Sequence, residues 1–248
     1  MSRLSSNPTD GSISASSMPP GRADEDRVTS QCLVGLTVVT GIIDAVSFLG
    51  LGHIFTANMT GNVVFLGFAL GGGTGVSPLR SIAALCAFAC GGVLGGRINT
   101  RDLAGGPSLR AAMCLESGLL GVAAASTKVP GLHASSGAYA VIVLTAVAMG
   151  LRNAVVRKLA VPDLTTTVLT MTVTGLAADS RVAGGHGVRR GTRVLSIIAM
   201  GIGAALGAVL LRTFGVATAI GVAAVGVAGL FILLSRGLRP TNREGARA

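Results

Sequence analysis

The sequence predicts an all-α fold, a polytopic bundle of transmembrane helices, and three observations predict it. Half of the 248 residues are hydrophobic and only 12% are charged, where an ordinary soluble protein carries about 25% charged residues. Mean hydropathy is +0.70. From residue 32 onward, apolar segments follow one another, each close to the roughly 20 residues a helix needs to cross the hydrocarbon core. A soluble bundle needs a polar face on each helix, and these segments lack one. The 37 glycines have no period of three, which excludes a collagen helix. The hydrophobicity excludes disorder for the bulk of the chain.

Eight segments emerge in order: 32–51, 55–74, 79–98, 109–127, 135–152, 162–180, 193–212 and 214–235. Those at 55–74, 193–212 and 214–235 are the clearest. The pair 135–152 and 162–180 is weaker, because Arg152, Arg157, Lys158 and Asp163 lie between them, and the junction at 212–214 is very short. About eight spans are therefore expected, with six or seven as the alternatives. Residues 1–31 form a polar, Ser-rich tail of mixed charge, for which disorder is expected. No apolar run of signal-peptide length precedes residue 32, so an uncleaved first helix is expected. Residues 32–235 form the membrane domain and 236–248 a basic tail. With eight spans, the side of the two termini holds the larger share of the 20 basic residues, which favours cytoplasmic termini. The loops at 97–110 and 152–158 go against that assignment.

The chain carries a weak copy of itself. GIIDAV at 41–46 is echoed by GLRNAV at 150–155, TANMTGNVV at 56–64 by TTTVLTMTV at 165–173, and GGVLGG at 91–96 by GAALGA at 203–208. The common order and near-common offset predict a duplication with halves at about 32–134 and 135–235. Four spans per half would leave the halves parallel, and three would invert them. Transporters are often built from such repeats, although a repeated scaffold does not by itself fix a function. Glycines at spacing four let helices approach closely in lipid. Gly91 with Gly95 and Gly203 with Gly207 are the packing pairs expected, and Gly67/Gly71 and Gly92/Gly96 share the spacing.

Candidate chemistry begins with Asp44, which lies inside the first apolar segment. An Asp at the bilayer centre costs about 2.5–3.5 kcal/mol on the insertion scale, so it requires a partner. It is either a proton or cation site, or a carboxylate hydrogen-bonded to the start of the next helix. Beyond it, Thr56, Asn58, Thr60 and Asn62 alternate with small or apolar residues, a pattern suited to a broken segment followed by a half-helix. In the second half Asn153 stands where Asp44 stands in the first, with Arg152 beside it. Asp44 is expected to approach Arg152 or Asn153, and the threonines at 165–167 and 170, Thr166, Thr167 and Thr170 among them, to face Thr56, Asn58 and Thr60. Glu116, the other intramembrane acid, is a secondary candidate, expected either to pair with Arg97 or Arg110 or to serve in a relay.

Other chemistries find no support. Net charge is +10, but the basic residues flank apolar runs, and with one Tyr and no Trp there is no aromatic platform for bases. No nucleic-acid partner is expected. Cysteines at 32, 86, 90 and 114 form no CxxC pair, and the three histidines show no ligand spacing, so neither metal nor cofactor is expected. GGGTGVSP at 71–78 lacks the ending of a phosphate loop. No catalytic residue is assigned.

The run GIIDAVSFLGLGHIFTANMTGNVVFLGFAL at 41–70 closely resembles the signature of the YoaK family of bacterial integral membrane proteins. GLRNAVVRKLAVPDLTTTVLT at 150–170 resembles that family's second stretch, with Thr170-Met171 where the family has a Thr-Gly pair. The resemblance covers about residues 32–235. It implies a multi-pass protein of the bacterial cytoplasmic membrane and supplies no substrate. The expectation is an inner-membrane transporter or channel for a small solute, coupled to protons or ions through Asp44. The alternatives are a membrane scaffold or regulatory partner without translocation and, after that, an intramembrane enzyme. The partners expected are the lipid bilayer and a small solute; nothing in the sequence argues for an oligomer.

Overall fold

The computed structural model describes residues 22–100, 106–129, 134–159, 169–184 and 190–237. Their regular structure is entirely helical: α1 (Arg22–Gly50), α2 (Met59–Leu70), α3 (Pro78–Thr100), α4 (Gly106–Ser126), α5 (Ala134–Leu159), α6 (Leu169–Ala178) and α7 (Arg190–Gly237), with a short 3-10 turn at Arg181–Ala183. Five of these are long and apolar enough to cross a membrane: α1, α3, α4, α5 and α7. Their outward faces are apolar, with Val93, Leu94, Val122, Ile202, Val209 and Val225 exposed. Such a surface suits hydrocarbon and not water.

The eight expected segments are not eight full-length helices. Segment 55–74 forms only the 12-residue α2, and the described part of 162–180, residues 169–180, holds the 10-residue α6. At 1.5 Å per residue these rise about 18 and 15 Å, well short of a hydrocarbon core of about 30 Å. Hydropathy counts apolar residues in a window and does not distinguish one span from an irregular stretch plus a half-helix. Segments 193–212 and 214–235 belong to the single 48-residue run α7, which would reach about 72 Å if straight. It is broken at Gly215, where φ is 81° and ψ 176°, a region essentially reserved for glycine.

Contacts along α1 show that α7 doubles back there. In the first arm, 190–214, Gly203 lies against Val38, Gly207 against Ile42, and Leu211 beside Gly50, so this arm runs parallel to α1. In the second arm, 216–237, Val216 is beside Gly50, Gly226 beside Val39, Leu230 against Gly35 and Gly237 against Val28, so it runs antiparallel. The Cys32 thiol also donates to Leu230 O at 3.7 Å.

Backbone contact through glycine sets the closest helix pairs. A Cβ on Gly91 would strike Val147 O, and one on Gly95 would strike Leu151 O, which locks α3 in parallel against α5. Gly203 meets Val38 O and Gly207 meets Ile42 O in the same way, locking the first arm of α7 against α1. Gly150 reaches Phe88 O and Gly41 reaches Met200 O as the reciprocal contacts. Gly67, Gly92 and Gly96 share the spacing, yet a Cβ on any of them would meet open space.

Two ends of the bundle follow from these pairings. Asn99 Nδ2 donates to Ala154 O and Lys158 Nζ to Asn99 O, which places the ends of α3 and α5 together. Ser117 Oγ donates to Ala224 O, and Ala124 and Ala125 line a cavity with Ala217 and Thr218, so α4 is antiparallel to the second arm of α7. The ends of α1 and α4 and the starts of α5 and of that second arm lie around another cavity. Arg80, at the start of α3, donates to Leu51 O at 2.9 Å and lies 5.9 Å from the Tyr139 ring centroid. The chain therefore leaves α1 and enters α3 at the same end of the bundle.

Candidate functional site

The site is built on the last turns of α1 and on the stretch that folds back along them. At the end of α1 the chain reverses through Gly52 and His53, with φ of 92° and 57°. Residues 51–58 are irregular, as the alternating Thr/Asn pattern predicts. They turn inward far enough for the Ala57 N–H to donate to Asp44 Oδ1 at 3.0 Å. Asp44 is six residues before the end of α1, about 9 Å along its axis. Its carboxylate is buried, at 5% exposure, and the Thr56 and Asn58 amides also point at it. It thus supplies an acceptor at the start of α2, where N–H groups lack helical partners.

Asn62 holds this stretch in place. Its Nδ2 donates to Phe55 O at 2.6 Å, and its Oδ1 accepts the Phe55 N–H at 2.9 Å. One amide side chain thereby satisfies both backbone groups of a residue that no helix satisfies. Phe55 stacks on Phe48 and on Phe65, with ring centroids 5.1 and 5.9 Å away. Asn58 precedes α2 but makes no side-chain cap, and both Asn58 and Thr60 are exposed. Thr56 is fully buried with no hydrogen-bond partner for its Oγ1.

Deeper in the bundle, Arg152 of α5 is the largest fully buried side chain among the described residues. Its Nη1 donates to Glu116 Oε1 on α4 at 2.8 Å and to Leu36 O on α1 at 3.3 Å. Its Nη2 donates to Thr40 Oγ1 at 2.6 Å and to the Met149 sulfur at 3.0 Å. Thr40 completes its own bonding by donating to Leu36 O at 2.9 Å. Glu116 is fully buried too, and Glu116 Oε2 and Arg152 Nε have no hydrogen-bond partner among the described residues. Arg152 also attracts the Asp44 carboxylate through space. One guanidinium thus pairs with Glu116 and acts at a distance on Asp44.

Several sequence expectations need restating. Asp44 does lie in the field of Arg152, but the ion pair of Arg152 is with Glu116. The partner of Glu116 is accordingly neither Arg97 nor Arg110, because α4 turns Glu116 inward against α5 while Arg97 is exposed near the end of α3. Asn153 is half-buried on α5. Thr170 lies exposed on α6, and Thr166 and Thr167 lie outside the described residues. Thr40 carries a share of the site that the sequence analysis passed over. The signal was present, since Leu36, Thr40 and Asp44 recur at spacing four and fall on one helix face.

Three cavities open away from these groups. One is lined from Leu94 and Arg97 to Leu119 and Leu151, the second runs between α4 and the second arm of α7, and the third lies at the end of the bundle near Gly50 and Val141. None of the three is lined by Asp44, Thr56, Glu116 or Arg152.

Comparison with known proteins bears on the whole domain. A family model described as protein of unknown function (DUF1275) matches residues 32–233. The UPF0700 transmembrane protein YoaK of Bacillus subtilis (strain 168) is 33% identical over 146 residues, which cover 58% of this chain and 64% of that protein. The chain thus spans somewhat less than two thirds of that relative's length. No solved structure matches the chain.

Proposed function

The chain belongs to the DUF1275 family of membrane proteins of unknown function, and on that premise we propose that it is a transporter or channel for a small solute, coupled to a proton or cation through its buried carboxylates. One observation carries this reading: Glu116 is ion-paired with the buried Arg152 guanidinium, and the field of that guanidinium also reaches the buried Asp44 carboxylate. Ionisable residues at bilayer depth are costly, and they characteristically mark ion or proton pathways. With both acids ionised the cluster has one negative charge in excess, which one proton or cation would balance. The unpartnered Glu116 Oε2 and Thr56 Oγ1 are acceptors for such a ligand.

The architecture we propose has six spans: α1, α3, α4, α5 and the two arms of α7. The stretch 51–77, which holds α2, enters the bilayer and leaves on the side it came from, and α6 is the corresponding short helix of the second half. Each half then contains three spans and one short helix, so the two halves are inverted repeats. The paired contacts support the duplication: Gly91 on Val147 and Gly203 on Val38, then Gly95 on Leu151 and Gly207 on Ile42. Between the halves these partners are offset by a near-constant interval. Charge supports the topology as well. Among the described residues, and apart from the buried Arg152, only Arg80, Lys128 and Arg212 of the basic residues fall at the end where α1 finishes. Arg97, Arg110, Arg157 and Lys158 now lie at the same end as Arg27 and Arg236, the basic side, which we take as cytoplasmic.

The test is flux into liposomes across a solute panel with an imposed pH or cation gradient. Wild type is expected to accumulate one solute class. Asp44→Asn and Glu116→Gln are expected to lose gradient-driven accumulation while still inserting. Full gradient-driven flux in both variants would remove the coupling role.

A non-transporting scaffold or regulatory partner is the second reading. It is favoured by the Ala57 N–H that ties down Asp44, and by the position of the three cavities away from the charged cluster. Wild-type liposomes impermeable to the entire panel would select it.

A further inference from the structure

The cavity between α3 and α4 is graded in polarity along its length. It encloses about 650 Å³ and is floored by Val147 and Leu151 of α5. Arg97, Pro107 and Ser108 line it toward the basic end of the bundle. Leu94, Ala111, Leu115 and Leu119 line it further in. From Pro107 to Leu119 along α4 is about 18 Å, a little more than half of a hydrocarbon core about 30 Å thick. Among the described residues Arg97 is its one charged lining residue, and Arg110, Arg157 and Lys158 lie at the same end.

The gap exists because α3 and α4 are each held elsewhere. Gly91 and Gly95 clamp α3 onto α5, while α4 is drawn toward α5 by the Glu116–Arg152 pair and toward α7 by Ser117. Both walls present exposed leucines, Leu94 and Leu115, to the surroundings, so in a bilayer the groove opens sideways onto lipid. A cation at headgroup depth above an apolar slot is complementary to one molecule present at high concentration there. Basic pockets between membrane helices select anionic headgroups.

We propose that this groove is a binding site for an anionic phospholipid, with Arg97 against the phosphate and an acyl chain along Ala111, Leu115 and Leu119. The lipid bridges α3 and α4 where neither packs directly on the other. The site is separate from the buried cluster and stands whether or not the protein transports.

The test is native mass spectrometry of the detergent-solubilised full-length protein, titrated with phosphatidylglycerol or phosphatidylcholine. Wild type is expected to retain phosphatidylglycerol preferentially. Arg97→Gln is expected to weaken that retention about fivefold, the weight of one basic side chain near an anionic surface, and to weaken phosphatidylcholine less, because the choline ammonium already offsets its phosphate charge. Ala111→Trp, which fills the slot, is expected to lose both lipids. Arg236→Gln, at the basic end but outside the groove, is the control. Equal retention of the two lipids by wild type, or an Arg97→Gln titration matching that of wild type or of the control, overturns the proposal. Should Ala111→Trp fail to fold, the exposed Arg97→Gln substitution decides alone.

Discussion

A guanidinium taken out of water forfeits several kcal/mol of hydration, and its neighbours must return that. For Arg152 the return comes from three helices: Glu116 on α4, Leu36 O and Thr40 on α1, and Met149 on α5 itself. The cluster is therefore a tie between elements distant in sequence as well as a charge site. Removing one member leaves the other charge buried and unpaired, which typically costs about 3–5 kcal/mol, whereas replacing both by apolar residues is often close to neutral. Arg152→Leu is accordingly expected to lower the thermal midpoint in detergent sharply. The double variant Arg152→Leu/Glu116→Leu is expected to recover much of that loss. A midpoint for Arg152→Leu equal to wild type would deny the tie. Flux coupling should be lost in both variants, so stability and function separate in the double variant.

At the scale of elements, association without a hydrophobic driving force depends on close approach. Gly91, Gly95, Gly203 and Gly207 each face a carbonyl of the partner helix, where a side chain has no room. Gly92 is their neighbour in sequence and has the same spacing to Gly96, yet it faces open space. Gly91→Val is expected to separate α3 from α5 and lower the thermal midpoint, and Gly203→Val to do the same for α1 and α7. Gly92→Val is expected to change it little. A melt in which Gly91→Val and Gly92→Val behave alike would count against backbone contact as the origin of these pairings. The same scale explains the irregular stretch 51–58. Its unpaired backbone groups are met by Asp44 and Asn62, and its Phe55 stacks on Phe48 of α1 and Phe65 of α2.

For the whole molecule, the decisive quantity is the side of the membrane on which each connection lies. Eight spans put His53 and Thr74 on opposite faces, whereas a stretch that enters and leaves on one side puts both on the same face. In a variant lacking Cys32, Cys86, Cys90 and Cys114, His53→Cys and Thr74→Cys are both expected to react with an impermeant maleimide on intact cells. Arg157→Cys is expected to react only after permeabilisation. Labelling of position 53 and protection of position 74 would restore the eight-span arrangement. The charge distribution already argues for the first outcome, because six spans gather most basic residues among those described on one face.

Composition and hydropathy alone determined that this chain is a membrane-embedded helical protein, because transfer of side chains to lipid is additive along a sequence. The local pattern of Thr and Asn after Asp44 also predicted a break, since backbone groups there need partners other than a helix. Only the tertiary structure decided that two apolar segments are short helices, that α7 folds back at Gly215, and that Arg152 pairs with Glu116 rather than Asp44. Those outcomes depend on which helix faces meet across the bundle. Glu116 and Arg152 are 36 positions apart in sequence, and nothing local in either segment records that distance being closed.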